Sequence, residues 1–64
     1  MPKLPRLTAL EAEKMLIEHG FAFIRGKGSH RIYKRRNTRI VLPFHSGQML
    51  HPKIVKQLFR SLED

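Results

Sequence analysis

The first apolar pattern in the chain has the period of a helix and begins beside a polar cap. Thr8 and Glu11 have the spacing of a capping box, and Leu7 and Ala12 have that of a hydrophobic staple. Gly20 follows, and glycine commonly ends a helix. A helix is therefore predicted to begin at Thr8 and to end just before Gly20. Its inner face is expected to carry Ala12, Met15, Leu16 and His19. Its solvent-exposed residues are expected to be Glu11, Glu13, Lys14 and Glu18.

A second helical pattern lies at the end of the chain. Pro52 suits the first position of a helix, where a missing N–H group costs no hydrogen bond. Apolar residues then recur with a period near 3.6, and cations fall between them. The predicted stripe consists of Ile54, Val55, Leu58, Phe59 and Leu62.

Between these helices, alternating patterns predict three strands, at residues 21–25, 30–35 and 39–42. Residues 26–29 and 36–38 are the predicted connections, and in the second of these Asn37 tolerates the left-handed region. Pro43 marks the end or an edge of the third strand. Alternation places Ile32 on one face with His30 and Lys34.

The element order α-β-β-β-α predicts one α+β domain over residues 1–64, with residues 1–7 as an extended N-terminal arm. Short turns predict an antiparallel sheet, and both helices must cover one face of it to bury their apolar stripes. A chain of 64 residues has a thin core, so any site is expected at the surface.

Composition restricts the class of protein further. The chain contains no cysteine, which points to a reducing compartment, and we expect the cytoplasm. No apolar run approaches the roughly 20 residues of a membrane span, so no membrane association is expected. The net charge is +8, and residues 19–62 hold ten Lys or Arg and no acid. A field of one sign attracts polyanions, which favours a nucleic acid as partner.

The most basic part of the chain contains Gly28-Ser29-His30. Histidine has an unperturbed pKa of about 6.5, so it can accept and donate protons near neutral pH. A proton-transfer group inside a cationic surface indicates chemistry on a phosphodiester backbone. Without that chemistry, His30 would merely hydrogen-bond within the loop.

An ordered set of residues resembles the HicA (YcfA-like) family of toxin ribonucleases. The set comprises Gly20-Phe21, Arg25, Lys27-Gly28-Ser29-His30, Tyr33, Pro43 and His45. The resemblance extends from Thr8 to about Leu62. It implies a double-stranded-RNA-binding-domain-like fold and the toxin role in a type II toxin–antitoxin pair. It also implies mRNA cleavage without a metal or other cofactor, and neutralisation by a HicB-type antitoxin.

In that family His30 matches the catalytic histidine, which acts as general acid or base. His45 is the second candidate, because the loop after the third strand can bring it near the turn at Gly28 and Ser29. Backbone N–H groups of that turn are expected to stabilise charge on the phosphate. The expected phosphate contacts are Arg25, Lys27, Arg31 and Lys34, whereas Arg35, Arg36 and Arg39 are assigned only to the general field.

The remaining aromatic and histidine residues are assigned to base stacking, packing or helix capping. Tyr33 is expected to be partly exposed and to stack on an RNA base, whereas Phe44 is expected to pack. His19 is predicted to be structural, and His51 to cap the last helix. The four histidines show no i,i+4 pair, so no metal site is predicted.

Three functions remain open from the sequence. The first is an endoribonuclease acting on single-stranded RNA. The second is a non-catalytic RNA-binding module of the same fold, which explains the charge but not the histidine beside the glycine-containing turn. The third is an interaction subunit whose basic face meets an acidic protein, and this third function is compatible with the first.

Overall fold

The computed structural model describes residues 5–45 and 48–63 and confirms the predicted α+β element order. The elements are α1 (Ala9–Glu18), β1 (Ala22–Lys27), β2 (His30–Arg35), β3 (Thr38–Pro43) and α2 (Pro52–Glu63). The sheet is antiparallel, in the order β1-β2-β3. Residues 1–4 of the predicted N-terminal arm lie outside the described residues.

The start of α1 shows the predicted capping box. The Thr8 side chain accepts from the Glu11 N–H at 3.2 Å, and the Glu11 carboxylate accepts from the Thr8 N–H at 2.9 Å. These hydrogen bonds from Thr8 lower the pKa of Glu11, because they favour the ionised carboxylate. Leu7 and Ala12 are both buried in the core, as the staple pattern requires.

The placement of His19 on the buried face of α1 is wrong. His19 is the exposed C-cap residue, and its Nδ1 lies 2.8 Å from the Met15 carbonyl oxygen. Its own carbonyl accepts a hydrogen bond from Arg35 at 2.7 Å. The residue has the structural role that was predicted, but at the end of the helix and not inside the core. Gly20 follows with φ +87°, a conformation that favours glycine.

Two-residue turns connect the strands. Lys27 pairs with His30 across Gly28 and Ser29, and Gly28 has φ +59°. Arg35 pairs with Thr38 across Arg36 and Asn37. Here the left-handed residue is Arg36, with φ +54°, and not Asn37 as the sequence suggested. The hairpin register decides which position needs positive φ, and the side-chain preference of asparagine does not override it.

Both helices cover one face of the sheet, as predicted. Tyr33 of β2 and Ile40 and Leu42 of β3 lie on that face and are buried beneath Leu16 and Leu58. His51 caps α2 by accepting from the Lys53 N–H at 3.1 Å. All members of the predicted α2 stripe are buried or packed against the core: Ile54, Val55, Leu58, Phe59 and Leu62.

Candidate nucleic-acid interface

The alternation of β2 separates its side chains into two chemically distinct sets. Arg31, Tyr33 and Arg35 face the helices, whereas the side chains of the intervening residues lie on the opposite, uncovered surface. We call this uncovered surface the open face. From β2 it carries His30, Ile32 and Lys34. The candidate catalytic histidine therefore lies on the side of the sheet opposite the two described helices.

A β-bulge in β1 adds two cations to the open face. Phe23 pairs with Tyr33, but the next pair is Arg25 with Ile32, so Ile24 is an extra residue in β1. A shift of one residue transfers every following side chain to the other face. Without the bulge, Arg25 would lie opposite Arg31 and face the helices. With it, Arg25 and Lys27 share the open face with His30, which pairs directly with Lys27.

The third strand completes this surface. Arg39 pairs with Lys34, and Pro43 pairs with His30, so both residues of β3 lie on the open face. The open face thus holds His30 together with Arg25, Lys27, Lys34 and Arg39, all of them exposed. Arg39, which sequence reasoning assigned only to the general field, belongs to this cluster. The signal that could have found it is the pairing register of the β2–β3 hairpin.

The turn beside His30 is held by the segment that follows β3. The Phe44 N–H donates a hydrogen bond to the Ser29 carbonyl, which continues the β2–β3 ladder one step past His30 and Pro43. His45 comes next and is exposed. The structure therefore brings the second candidate histidine to the end of the sheet that carries Gly28, Ser29 and His30.

Arg31 differs from the other predicted phosphate contacts because it faces the helices. Its guanidinium donates to the Glu13 carboxylate at 3.0 Å and lies 4.0 Å from the centroid of the Phe44 ring. Phe44 is half-buried against the core, as expected. Arg31 thus joins α1 to the segment after β3, away from the open-face cluster.

Two further expectations about this region are wrong. Tyr33 is 0% exposed, so its ring offers no surface on which an RNA base can stack. It packs edge-on against Phe23, with ring centroids 5.7 Å apart. Glu13 is half-buried and not fully solvated, and its carboxylate accepts from both the Tyr33 hydroxyl and Arg31. The period-two pattern placed Tyr33 on a face correctly but could not show which face the helices cover.

Burial and hydrogen bonding change the protonation equilibria of this network. Burial raises the pKa of Tyr33 to about 12, and its hydrogen bond to Glu13 adds to the effect. The hydrogen bond to Glu13 raises the pKa of Arg31, so the guanidinium stays charged. These shifts indicate a neutral tyrosine bound to an ion pair, which is a structural arrangement.

Within residues 5–45 and 48–63, no three metal-ligating side chains come together. The two helices that the structure describes are too short and too polar to cross a bilayer. The open face carries His30 with three of the four predicted phosphate contacts, Arg25, Lys27 and Lys34, whereas the fourth, Arg31, lies on the helix side.

Comparison with known proteins gives one family. The family model described as the HicA toxin of bacterial toxin–antitoxin pairs matches residues 10–63, which include every strand, most of α1 and all of α2. Comparison with curated proteins and with solved structures gives no significant match.

Proposed function

The chain belongs to the HicA toxin family, whose members are the toxins of bacterial toxin–antitoxin pairs, and we therefore propose that it is an endoribonuclease that cleaves mRNA. The observation that supports this most is the position of His30. It shares the open face with four exposed cations, and no acid occurs between residues 19 and 62 to neutralise them.

The proposed reaction is transfer of the phosphodiester to the neighbouring 2′-oxygen. A base removes the 2′-hydroxyl proton, the 2′-oxygen bonds to phosphorus, and the bond from phosphorus to the 5′-oxygen breaks. An acid then protonates the leaving 5′-oxygen. The products are a 2′,3′-cyclic phosphate and a 5′-hydroxyl, and no metal takes part.

We assign one of the two proton transfers to His30 and the other to His45. Both are exposed, and both lie at the end of the sheet that the Phe44–Ser29 hydrogen bond closes. Lys27, which pairs with His30, is the cation best placed to stabilise charge that develops on the phosphorane oxygens. The exposed backbone at Gly28 offers N–H donors to the same oxygens.

The remaining open-face cations, Arg25, Lys34 and Arg39, bind the RNA backbone on one side of the reacting bond. Arg31 is removed from this set because its guanidinium pairs with Glu13 on the helix side.

The substrate is single-stranded, since cleavage by this route requires the 2′-oxygen to align with the leaving oxygen, which a flexible strand permits. A HicB-type antitoxin is the proposed inhibitor, and the cytoplasm is the proposed location.

Incubation of the purified protein with labelled single-stranded RNA in excess EDTA tests the proposal. We expect cleavage that continues in the chelator and products that carry 2′,3′-cyclic phosphate ends. Activity that EDTA abolishes and a divalent ion restores would overturn the mechanism. Binding of the RNA without any cleavage would support the alternative function, a non-catalytic RNA-binding module.

A further inference from the structure

The bulge in β1 does more than change the face of Arg25. Both the extra residue Ile24 and its neighbour Arg25 line one shallow hollow of about 270 Å³ on the open face. Consecutive residues of a regular strand point to opposite faces, so only the bulge allows both side chains to line the same hollow. Bulges of this kind often re-aim side chains beside functional sites.

The hollow has a cationic rim and an aliphatic floor. Each strand supplies one cation, namely Arg25 from β1, Lys34 from β2 and Arg39 from β3. The floor consists of Ile24 and Ile32, and Ile24 is 53% exposed. The hollow therefore offers apolar surface and positive charge side by side, which suits a ligand with both apolar and anionic parts.

The position of the hollow relative to His30 restricts what the ligand is. Ile32 and Lys34 follow His30 on the same face of β2, at Cα separations of roughly 7 and 13 Å for an extended strand. The hollow therefore begins one side-chain step from the candidate catalytic histidine. A single strand that lies against His30 and runs along β2 therefore passes over the hollow.

We propose that this hollow is a subsite for one nucleotide of single-stranded RNA next to the bond that is cleaved. The phosphate binds among Arg25, Lys34 and Arg39, and the flat face of the base covers Ile24 and Ile32. Stacking of an unpaired base on a side-chain platform is sequence-tolerant, because every base has such a face. The proposal rests on the proposed function, which it deepens by naming where the adjoining nucleotide binds.

Oligonucleotide length provides the first test. The cleavage site is mapped on a long RNA, and binding is then measured with a series of shorter RNAs that carry a 2′-deoxy nucleotide at the cleaved position. The hollow variant replaces Arg25, Lys34 and Arg39 with glutamine. The control variant replaces three exposed cations outside the hollow, Arg36, Lys53 and Lys56, and so changes the net charge equally.

We expect the hollow variant to lose about tenfold in affinity for RNAs long enough to reach the hollow, and little for the shortest RNA. The control variant should weaken all lengths by a similar, smaller factor. Equal losses in both variants at every length would overturn the proposal, because the three cations would then only contribute to the general field. Circular dichroism of each variant verifies the fold.

A second variant tests the base contact separately from charge. Ile24→Thr keeps a β-branched residue in the strand but removes apolar surface from the floor. We expect it to weaken binding of normal RNA two- to threefold and to leave binding of RNA with an abasic site at that nucleotide unchanged. Ile17→Thr, at a similarly exposed residue of α1, is the matched control and should change neither.

The two tests separate this proposal from the proposed function. If the parent protein does not cleave any RNA, the proposed function fails. The affinity series on uncleaved oligonucleotides then still shows whether the hollow binds a nucleotide. If the hollow variants bind RNA normally but lose affinity for a copurifying acidic antitoxin, the hollow is a protein contact, and the nucleotide subsite is refuted.

Discussion

Tyr33 offers the most quantitative test of the packing between α1 and the sheet. Its ring is fully buried, its hydroxyl donates to Glu13, and its pKa is raised from 10.0 to about 12. The unfolded chain ionises near the ordinary value of 10. Because the folded state holds the proton to higher pH, the network contributes its full stability below pH 10. That contribution falls as the pH rises from 10 to 12.

The size of the effect follows from the pKa difference. A rise from 10.0 to about 12 corresponds to roughly 2 to 3 kcal/mol, at about 1.4 kcal/mol for each tenfold change in the proton equilibrium. That is a large share of the stability of a small domain, which is usually about 5 kcal/mol or less. Alkaline conditions should therefore lower the free energy of unfolding of the parent protein measurably.

Two measurements test this. Tyr33 is the only tyrosine and the chain has no tryptophan, so the ultraviolet absorbance of tyrosinate reports its ionisation alone. Denaturant unfolding of the parent and of Tyr33→Phe at each pH gives the free energy of unfolding. The variant should lack the extra loss between pH 10 and 12, although both proteins share the effect of lysine deprotonation. A tyrosine that titrates near 10 in the folded protein would refute the argument.

Further predictions concern the turn between β2 and β3 and the cations that bind RNA. Arg36→Gly should have a free energy of unfolding roughly 1 kcal/mol higher than Arg36→Ala, because glycine adopts φ +54° without strain. Both variants lose the same charge, so the comparison isolates the backbone effect. Thermal unfolding measures the difference, and equal stabilities would contradict the prediction. RNA binding should depend on salt with a log–log slope near −3, at roughly 0.7 for each of four neutralised phosphates. Lys27→Gln should reduce that slope by about 0.7, whereas Arg31→Gln should leave it unchanged because Arg31 pairs with Glu13. A reduced slope in the Arg31 variant would return that residue to the interface.

The sequence alone supported much of this fold. The capping box at Thr8, the proline that opens α2 and the alternation of β2 each depend on local chemistry, and all three occur where the pattern placed them. The pairing of His30 with a basic surface was also predictable, because charge and order along the chain are enough to indicate it. These features need no knowledge of how distant segments pack.

What the sequence could not show depends on register and on contacts between distant residues. The extra residue Ile24 has no local signal, yet it determines the face on which Arg25 lies. Tyr33 and Arg31 belong to the helix side because Glu13, about twenty residues earlier, meets them there. Arg31 was therefore predicted to contact phosphate, whereas its guanidinium binds the Glu13 carboxylate.

His30→Ala is the most direct test of the central claim that this histidine takes part in RNA cleavage. His30 is exposed at the start of β2, so its removal should leave the fold intact and change RNA affinity by less than a few-fold. Cleavage should fall by roughly 10²- to 10⁴-fold, the usual contribution of one positioned acid or base. Single-turnover cleavage, measured beside binding and circular dichroism, gives all three quantities. A folded His30→Ala protein that cleaves RNA as fast as the parent would contradict the account.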